Sequence, residues 1–248
     1  MLSVSGLTKA FDQQSIFSGF DLTLNRNRFA VLIGPSGCGK STFFDVLTGV
    51  IPADKGQISW QDTKVDHLGD LAAYMHQKDL LLPWFSLLEN SLLPAKTAGE
   101  DMHKARVRAI ELFIRLGLAG YESYLPHEVS GGMRQRCALV RTLMFKRDLI
   151  LLDEPLSALD AITRKSLQSL LLLLQSEFDR TLLMITHDID EALLLADDLY
   201  LLSNKPMGVV EKIELYGDKP RQFDNPELLA IKNRIMKKLT GDVANVAC

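Results

Sequence analysis

The sequence is poor in cysteine, and this shortage argues against two common ways of stabilising a chain. Its three cysteines, Cys38, Cys137 and Cys248, are an odd number and form no C-x-x-C pair. Disulfide frameworks and zinc sites both depend on paired or clustered cysteines. We therefore expect neither, and the cysteine usage fits a reducing cytoplasm.

The sequence also lacks a dominant charge and a long apolar run. Its 28 Lys and Arg residues against 31 Asp and Glu residues give a formal net charge of −3, without a long basic run, so a nucleic-acid groove is not expected. The stretch "KNRIMKK" from Lys232 indicates the solvated face of a last helix. No apolar run approaches the ~18 residues of a spanning helix, and the first residues lack a signal-peptide pattern. We expect a chain that does not cross a membrane by itself.

Apolar residues, by contrast, make up 47% of the 248 residues, enough for a sizeable core. Four short segments are almost continuously apolar, which is typical of strands buried on both faces of a parallel sheet. They are Phe29–Ile33, Ala72–Met75, Leu149–Leu152 and Leu182–Ile185. Each ends in polar residues, and open parallel sheets bind ligands at that edge. These polar groups are the loop from Gly34, Gln77, the pair Asp153 and Glu154, and the pair Thr186 and His187.

The other segments predict an antiparallel sheet piece and several helices. Residues 1–28 alternate loosely between turn signals, which favours antiparallel strands. Residues 101–116 predict an inserted helix that ends at Gly117. The apolar residues at helical spacing in that segment are Val107, Ile110 and Ile114.

The last third of the chain continues this alternation of helices and strands. Ala161–Phe178 predicts an amphipathic helix packed on the sheet. The tail from Lys205 predicts a strand pair within Gly208–Leu215 and a closing helix at Pro226–Leu239.

Residues 34–42, "GPSGCGKST", fit the pattern G-x-x-x-x-G-K-[ST] between a predicted strand and a predicted helix. The glycines let the backbone wrap so that its N–H groups and the helix N-terminus face a β-phosphate. Lys40 would reach the β- and γ-phosphates, and Ser41 would place its hydroxyl on Mg²⁺. The predicted nucleotide-binding loop comprises Gly34, Pro35, Ser36, Gly37, Cys38, Gly39, Lys40, Ser41 and Thr42. Because Cys38 lies inside this loop, we expect a bulky thiol reagent on it to block nucleotide entry.

Other groups at the sheet edge complete a hydrolytic site. In "LILLDEP", Asp153 ends a buried strand, where a carboxylate can hold Mg²⁺, and Glu154 suits a general base that polarises water. Gln77 and His187 have alternative interpretations, a solvated amide and a helix-capping histidine, but their strand-end positions favour the site. Phe11 could stack on an adenine ring or belong to the core.

The stretch "EVSGGMRQRCALVRTL", residues 128–143, places Gly131 and Gly132 directly before a helical pattern. A glycine pair weakens a helix start unless the backbone must approach something closely.

Together "GPSGCGKST", Gln77, "VSGGMRQR", "LILLDEP", "SALD" and His187 occur in the order and spacing of an ATP-binding cassette (ABC) transporter nucleotide-binding subunit. The chain resembles that family over essentially its whole length. The resemblance implies an α/β fold of the P-loop NTPase type, with a parallel core sheet, an N-terminal antiparallel β subdomain and an inserted helical subdomain. It implies one domain over 1–248, with the core at about 1–77 and 145–248 and the helical subdomain at about 78–144.

The resemblance also implies a head-to-tail homodimer that holds two ATP molecules with Mg²⁺ between its chains. Ser130, Gly131 and Gly132 would then touch the γ-phosphate held by the partner chain, which answers what the glycines approach. The other implied roles are adenine stacking for Phe11, Mg²⁺ and membrane-partner sensing for Gln77, a γ-phosphate contact for His187 and a dimer-interface position for Asp160. Two departures, Val129 for the usual leucine and Phe11 for the usual tyrosine, preserve the apolar and stacking character.

Within the family, "HQKDLLLPWFSLLENSLLP", residues 76–94, resembles importers of the nitrate, sulfonate, taurine and thiamine-precursor group, although generic apolar packing would also explain it. The implied function is ATP hydrolysis that drives uptake of a small solute, with membrane permease subunits and a separate solute-binding protein as partners, at the cytoplasmic face of the membrane. If part of Leu80–Pro94 is exposed, we expect it to bind a permease helix. The transported solute cannot be deduced from this chain.

Two soluble ATPase classes are the alternatives. An iron–sulfur cluster assembly ATPase of the same fold would not be coupled to transport, but its relatives typically carry an acidic, lysine-rich signature. A DNA-repair ATPase would need a long coiled coil between Lys40 and Ser130, and no sustained heptads occur there.

Overall fold

Two sheets organise the chain in the computed structural model, which describes residues 1–157, 159–222 and 225–244. The strands are β1 Leu2–Phe11, β2 Gln14–Leu24, β3 Phe29–Ile33, β4 Lys55–Trp60, β5 Thr63–Val65, β6 Ala72–Met75, β7 Leu149–Asp153, β8 Thr181–Thr186, β9 Asp198–Leu202 and β10 Val209–Glu214. The helices are α1 Lys40–Thr48, α2 Leu87–Thr97, α3 Met102–Arg115, α4 Gly131–Leu143, α5 Ala161–Ser176, α6 Ile189–Leu195 and α7 Pro226–Ala244.

The larger sheet has six strands in the order β10-β9-β3-β8-β7-β6. Strands β9 to β6 in this order are parallel, and β10 is antiparallel to β9. Both faces are buried: Val31 packs in one hydrophobic cluster while its neighbour Leu32 packs in the other. The continuous apolar segments therefore correspond to doubly covered parallel strands, as the sequence predicts.

The smaller sheet is antiparallel, with the order β2-β1-β4-β5. Its first hairpin turns at Asp12 and Gln13, whose φ angles of 45° and 68° give the left-handed geometry that suits a two-residue hairpin. Phe43 and Phe44 on α1 are fully buried in the cluster that also contains residues of this sheet and of the larger sheet. Helix α1 is thus fixed between the two sheets, with its N-terminus at the carboxyl end of β3. The predicted α/β class with an N-terminal antiparallel sheet is confirmed.

The structure corrects or extends the sequence-based expectations in three places. The helix predicted within residues 101–116 is present as α3, but it buries Ala105, Ala109 and Phe113, whereas Val107 and Ile114 are 48% and 62% exposed. The apolar residues at helical spacing therefore do not mark its buried face. Small alanines let α3 approach its neighbours α2 and α4 closely.

The other two corrections concern strands near the end of the chain. Gly208–Leu215 does not contain a strand pair; it contains the single strand β10, whose partner is β9. Strand β9 itself was not predicted. Its first residue, the buried Asp198, accepts a hydrogen bond of 2.7 Å from Arg28 Nε, which compensates a carboxylate at the start of a buried strand.

Candidate active site

The phosphate loop connects β3 to α1, and two of its glycines have a geometric reason. Gly37 and Gly39 have φ angles of 76° and 123°, a region that favours glycine. A Cβ atom on Gly39 would lie 2.5 Å from Ile16 Cγ2, well inside van der Waals contact. The loop therefore needs glycine for its backbone conformation and for its packing, and it leads into the N-terminus of α1, where anions bind favourably.

Lys40 is buried at the first position of α1. Its Nζ donates hydrogen bonds of 2.8 Å to the carbonyl oxygens of Gly34 and Pro35, so the ammonium lies across the loop that precedes it. A cation placed there can contact phosphate groups held by the loop.

The Cys38 side chain is fully buried in the cluster between the two sheets. Its Sγ lies 3.8 Å from Lys40 Nζ. Because the thiol is buried, a bulky reagent would need the loop to open before it could react, and the expected block of nucleotide entry stays a prediction.

Asp153 lies at the carboxyl end of β7 and is almost fully buried. Burial raises the pKa of Asp153 to about 6; a hydrogen bond with Ser41 opposes this shift, and the neighbouring charge of Glu154 adds to it. Its Oδ1 atom has no hydrogen-bond partner among the described residues. A buried carboxylate oxygen without a partner, next to a serine hydroxyl, is a donor set that fits a hard divalent cation.

Glu154 adopts φ = 50°, an uncommon conformation for a side chain of this size that is often found at functional sites. Its backbone N–H donates to Ile185 O on β8 at 2.9 Å, which fixes this conformation. Gln77 Nε2 donates to Glu154 Oε2 at 3.3 Å, and His187 Nδ1 lies 3.3 Å from Glu154 Oε1. Gln77 and His187, which follow two other strands, therefore both reach the carboxylate of Glu154, as their predicted strand-end positions require.

A cavity of ≈ 240 Å³ lies over the phosphate loop and this carboxylate. Its lining residues are Ser36, Gly37, Gly39, Lys40, Ser41, Thr42, Gln77, Glu154, Ile185 and Lys205. The cavity therefore combines the anion-binding loop with a candidate general base. Lys205 was not predicted to belong to the site.

The residues of the "SGG" segment do not line this cavity. Ser130 is the N-cap of α4 and accepts a hydrogen bond from Met133 N at 3.3 Å. A Cβ atom on Gly131 would meet only the flexible end of Arg134, at 3.6 Å. Neither φ nor packing inside the chain therefore requires glycine at this exposed position.

Phe11 and Asp160 also lie outside the cavity lining. Phe11 is an exposed residue at the end of β1, where Lys9 Nζ lies 5.2 Å from the centre of its ring. Asp160 is the N-cap of α5 and accepts hydrogen bonds from the backbone of Ile162 and Thr163. Hydrogen bonding from the Thr163 side chain is the main cause that lowers the pKa of Asp160.

Gln135 on α4 is a further residue that sequence reasoning missed. It is buried, and its Nε2 donates to the backbone carbonyl of Glu154 at 3.0 Å. The helix that starts at Ser130 is therefore tied to the backbone of the candidate general base. The sequence offers one sign of this role, which is the position of Gln135 within the motif "SGGMRQR".

The apolar segment after Gln77 divides into buried and exposed members. Leu87 and Leu88 are buried, whereas Leu80 is exposed and Trp84 is 68% exposed. The buried Asn90 stabilises this loop, because its Nδ2 donates to the carbonyls of Leu82, Phe85 and Ser86 at 3.0 to 3.1 Å. A rigid surface with exposed Trp84 results.

Comparisons with known proteins agree with this architecture. Residues 17–157 match the family model described as ABC transporter. The chain is 36% identical to the formylaminopyrimidine import ATP-binding protein ThiZ of Halalkalibacterium halodurans, over 96% of this chain and 94% of the relative. It is 35% identical to the taurine import ATP-binding protein TauB of Yersinia pestis, over 96% and 97%. It is 37% identical to the aliphatic sulfonates import ATP-binding protein SsuB 1 of Rhodococcus jostii, over 96% and 93%.

Solved structures give the same result. A dimeric structure of MJ0796, a bacterial ABC transporter cassette, superposes with a TM-score of 0.81 at 26% identity, covering 88% of this chain and 100% of that one. A dimeric post-hydrolysis state of MJ0796 with ADP and phosphate gives a TM-score of 0.80 with the same identity and coverage.

Proposed function

This chain belongs to the ABC transporter family, and on that premise we propose how its ATPase activity is used and which residues perform it. The chain is an ATP-binding and ATP-hydrolysing subunit of an importer. In our proposal it energises uptake of a small solute of the nitrate, sulfonate, taurine or thiamine-precursor type through separate membrane subunits. The chain is similar to import proteins for formylaminopyrimidine, taurine and aliphatic sulfonates. This similarity supports the proposed range of solutes, and it favours an importer subunit over a soluble ATPase such as an iron–sulfur cluster assembly protein.

The phosphate loop binds the triphosphate in this proposal, with Lys40 on the β- and γ-phosphates. Ser41, Asp153 and Gln77 would hold Mg²⁺, which supplies charge neutralisation of the phosphates when it is bound. The unpartnered Oδ1 of buried Asp153 supports this assignment.

Glu154 acts as the general base that polarises the attacking water. Gln77 and His187, which both lie 3.3 Å from its carboxylate oxygens, hold that carboxylate in position, and His187 contacts the γ-phosphate. The contact of two neighbouring groups with one carboxylate is the arrangement expected for a base that must keep its orientation.

We propose that the site is completed by a second copy of the chain in a head-to-tail dimer. Exposed Ser130 and Gly131, with half-buried Gly132, would contact the nucleotide on the partner chain, with Asp160 at the dimer interface and Phe11 on the adenine ring. The dimeric form of the similar MJ0796 cassette supports this arrangement. Residues about 78–144 would form the helical subdomain that carries Ser130, Gly131 and Gly132, with about 1–77 and 145–248 as the core that carries Phe11 and Asp160.

The exposed face around Leu80 and Trp84 is proposed to bind a helix of the permease, which would hold the chain at the cytoplasmic face of the membrane. In the described part of the chain, none of the helices combines the length and apolarity needed to span a bilayer. A separate solute-binding protein would deliver the substrate.

The observation that carries the proposal is the shared cavity of Lys40 and Glu154. The test is phosphate release from MgATP by the chain reconstituted with its permease and solute-binding protein, with each candidate solute added in turn. We expect one solute class to stimulate hydrolysis. Hydrolysis that is indifferent to both the permease and every solute would contradict the coupling to import.

A further inference from the structure

Lys205 lies in the connection between β9 and β10, far in sequence from every motif of the site, yet it is one of the residues that line the cavity over the phosphate loop. It is exposed. Its backbone N–H donates to Asn204 Oδ1 at 2.9 Å, and its ammonium group has no hydrogen bond or ion pair within the part of the chain that the structure describes. Because the triphosphate of ATP stays negatively charged when Mg²⁺ is bound, a free cation at this wall has an obvious partner.

The connection that carries Lys205 is held in place rather than loosely exposed. Ser203 N donates to Gly208 O at 2.9 Å, and Gly208 N donates to Ser203 Oγ at 2.9 Å, which closes the turn at its base. Met207 is buried and its backbone N–H donates to Ile16 O at 2.6 Å. The turn is therefore attached to strand β2.

The same contacts fix the turn against the phosphate loop. Ile16 and Met207 are the side chains nearest to the point where a Cβ of Gly39 would lie, at 2.5 and 3.9 Å. On the other side of the loop, a Cβ of Gly34 would lie 2.9 Å from Leu202, the last residue of β9. The turn with Lys205 thus begins beside the first glycine of the loop and packs beside the last one.

We propose that Lys205 is a nucleotide-binding residue that contacts the triphosphate as a second cation beside Lys40. The two lysines differ in their attachment. Lys40 is buried and bonded to loop carbonyls, whereas Lys205 approaches from an exposed turn. Lys205 would therefore add to affinity by charge rather than build the loop. This inference rests on the proposed function, because it needs the phosphates in the loop of Lys40.

The test is titration of the isolated chain with AMP, ADP and a non-hydrolysable ATP analogue, each with Mg²⁺, at two salt concentrations. Lys205→Gln should weaken binding of the ATP analogue by about three- to tenfold, as expected for a partly exposed charge-assisted contact. The loss should be smaller for AMP and should shrink at high salt. Lys205→Arg should bind nearly as the unaltered chain does.

Two controls make the result decisive. Lys64→Gln removes another exposed lysine, on β5 away from the cavity, and should not change affinity. The thermal midpoint of Lys205→Gln without nucleotide should be unchanged, because a structural role would lower it. Unaltered affinity of Lys205→Gln, or an equal loss for AMP and the ATP analogue, would overturn the assignment. Lys40→Ala separates this failure from a failure of the proposed function. If both Lys205→Gln and Lys40→Ala bound the analogue normally, the proposed nucleotide site would be wrong as well as the assignment of Lys205.

Discussion

The phosphate loop and the start of α4 both carry glycines, but the molecule uses them differently. Gly39 has a left-handed backbone, and a Cβ there would clash with Ile16. Gly131 has no such constraint, because a Cβ there would make only an ordinary van der Waals contact with the end of the Arg134 side chain, at 3.6 Å. The fold of this chain therefore requires glycine at position 39, whereas it does not require glycine at position 131.

The surroundings of the two regions differ in the same way. Around the phosphate loop, Lys40 bonds to loop carbonyls, and Gln77 and His187 reach Glu154. Ser130 is exposed, and among the described residues its hydroxyl accepts the capping bond from Met133 and no other hydrogen bond. The difference shows that contacts inside the chain account for the phosphate loop but do not account for glycine at the start of α4, which is why we propose a contact there with a second copy of the chain.

Replacing the candidate base Glu154 should have the largest effect of the changes considered, and it should alter hydrolysis at the phosphate-loop site without altering the start of α4. We expect Glu154→Gln to lower the rate of ATP hydrolysis by about 10²- to 10⁴-fold, because the amide keeps the shape but cannot accept the proton. Binding of MgATP should persist. Phosphate release by the reconstituted transporter and equilibrium nucleotide binding measure the two quantities. A turnover close to that of the unaltered transporter would exclude Glu154 as the base.

A pair of alanine substitutions sharpens the comparison of the two glycines. Gly39→Ala should destabilise the chain by about 2 kcal/mol or more, because it strains the backbone and places Cβ against Ile16. Gly131→Ala should leave the free energy of unfolding within about 0.5 kcal/mol but should lower ATPase activity in the assembled transporter. Denaturant unfolding and phosphate release give the two readouts. Equal destabilisation by both substitutions would remove the distinction.

The smallest effect on the nucleotide site itself should come from the exposed surface around Leu80 and Trp84, which we propose binds the permease. Trp84→Glu should lower transport per ATP hydrolysed several-fold while nucleotide binding by the isolated chain stays unchanged, since Trp84 is 68% exposed and lines no nucleotide cavity. Tyr216→Glu, at a residue 78% exposed on another surface, is the matched control and should leave coupling intact. Loss of coupling in both variants, or in neither, would count against this docking surface.

Much of the core was predictable because its signals are local. The strands β3 and β6 occur at the predicted bounds, β7 is one residue longer at its carboxyl end, and β8 is one residue longer at each end. Short apolar runs beside glycine or polar residues have few other solutions in an α/β chain. Strand β9 was missed because its apolar residues follow those of α6 after only Asp197 and Asp198, so one run contains both a helix and a strand.

Other features depend on tertiary packing that no local pattern contains. The helix α3 was predictable from its apolar spacing, but its buried face was not: Ala105, Ala109 and Phe113 occupy that face. The burial of Cys38 and the position of Lys205 beside the phosphate loop depend on contacts between distant segments. The motifs predicted which strand ends meet, but not which turn covers them.

The proposed division of the site between two chains is tested most directly by photo-crosslinking in a mixed dimer. One chain keeps Lys40, and the other carries Lys40→Ala and an isotope label, so that nucleotide is held only by the loop of the first. A photoreactive ATP analogue with its reactive group on the γ-phosphate is bound and activated, and the peptides that contain Ser130 are distinguished by mass. We predict that the photoreactive analogue crosslinks to Ser130 of the Lys40→Ala chain, because in the proposed dimer that segment faces the intact loop of its partner. A crosslink found only on Ser130 of the chain that keeps Lys40 would contradict the divided site.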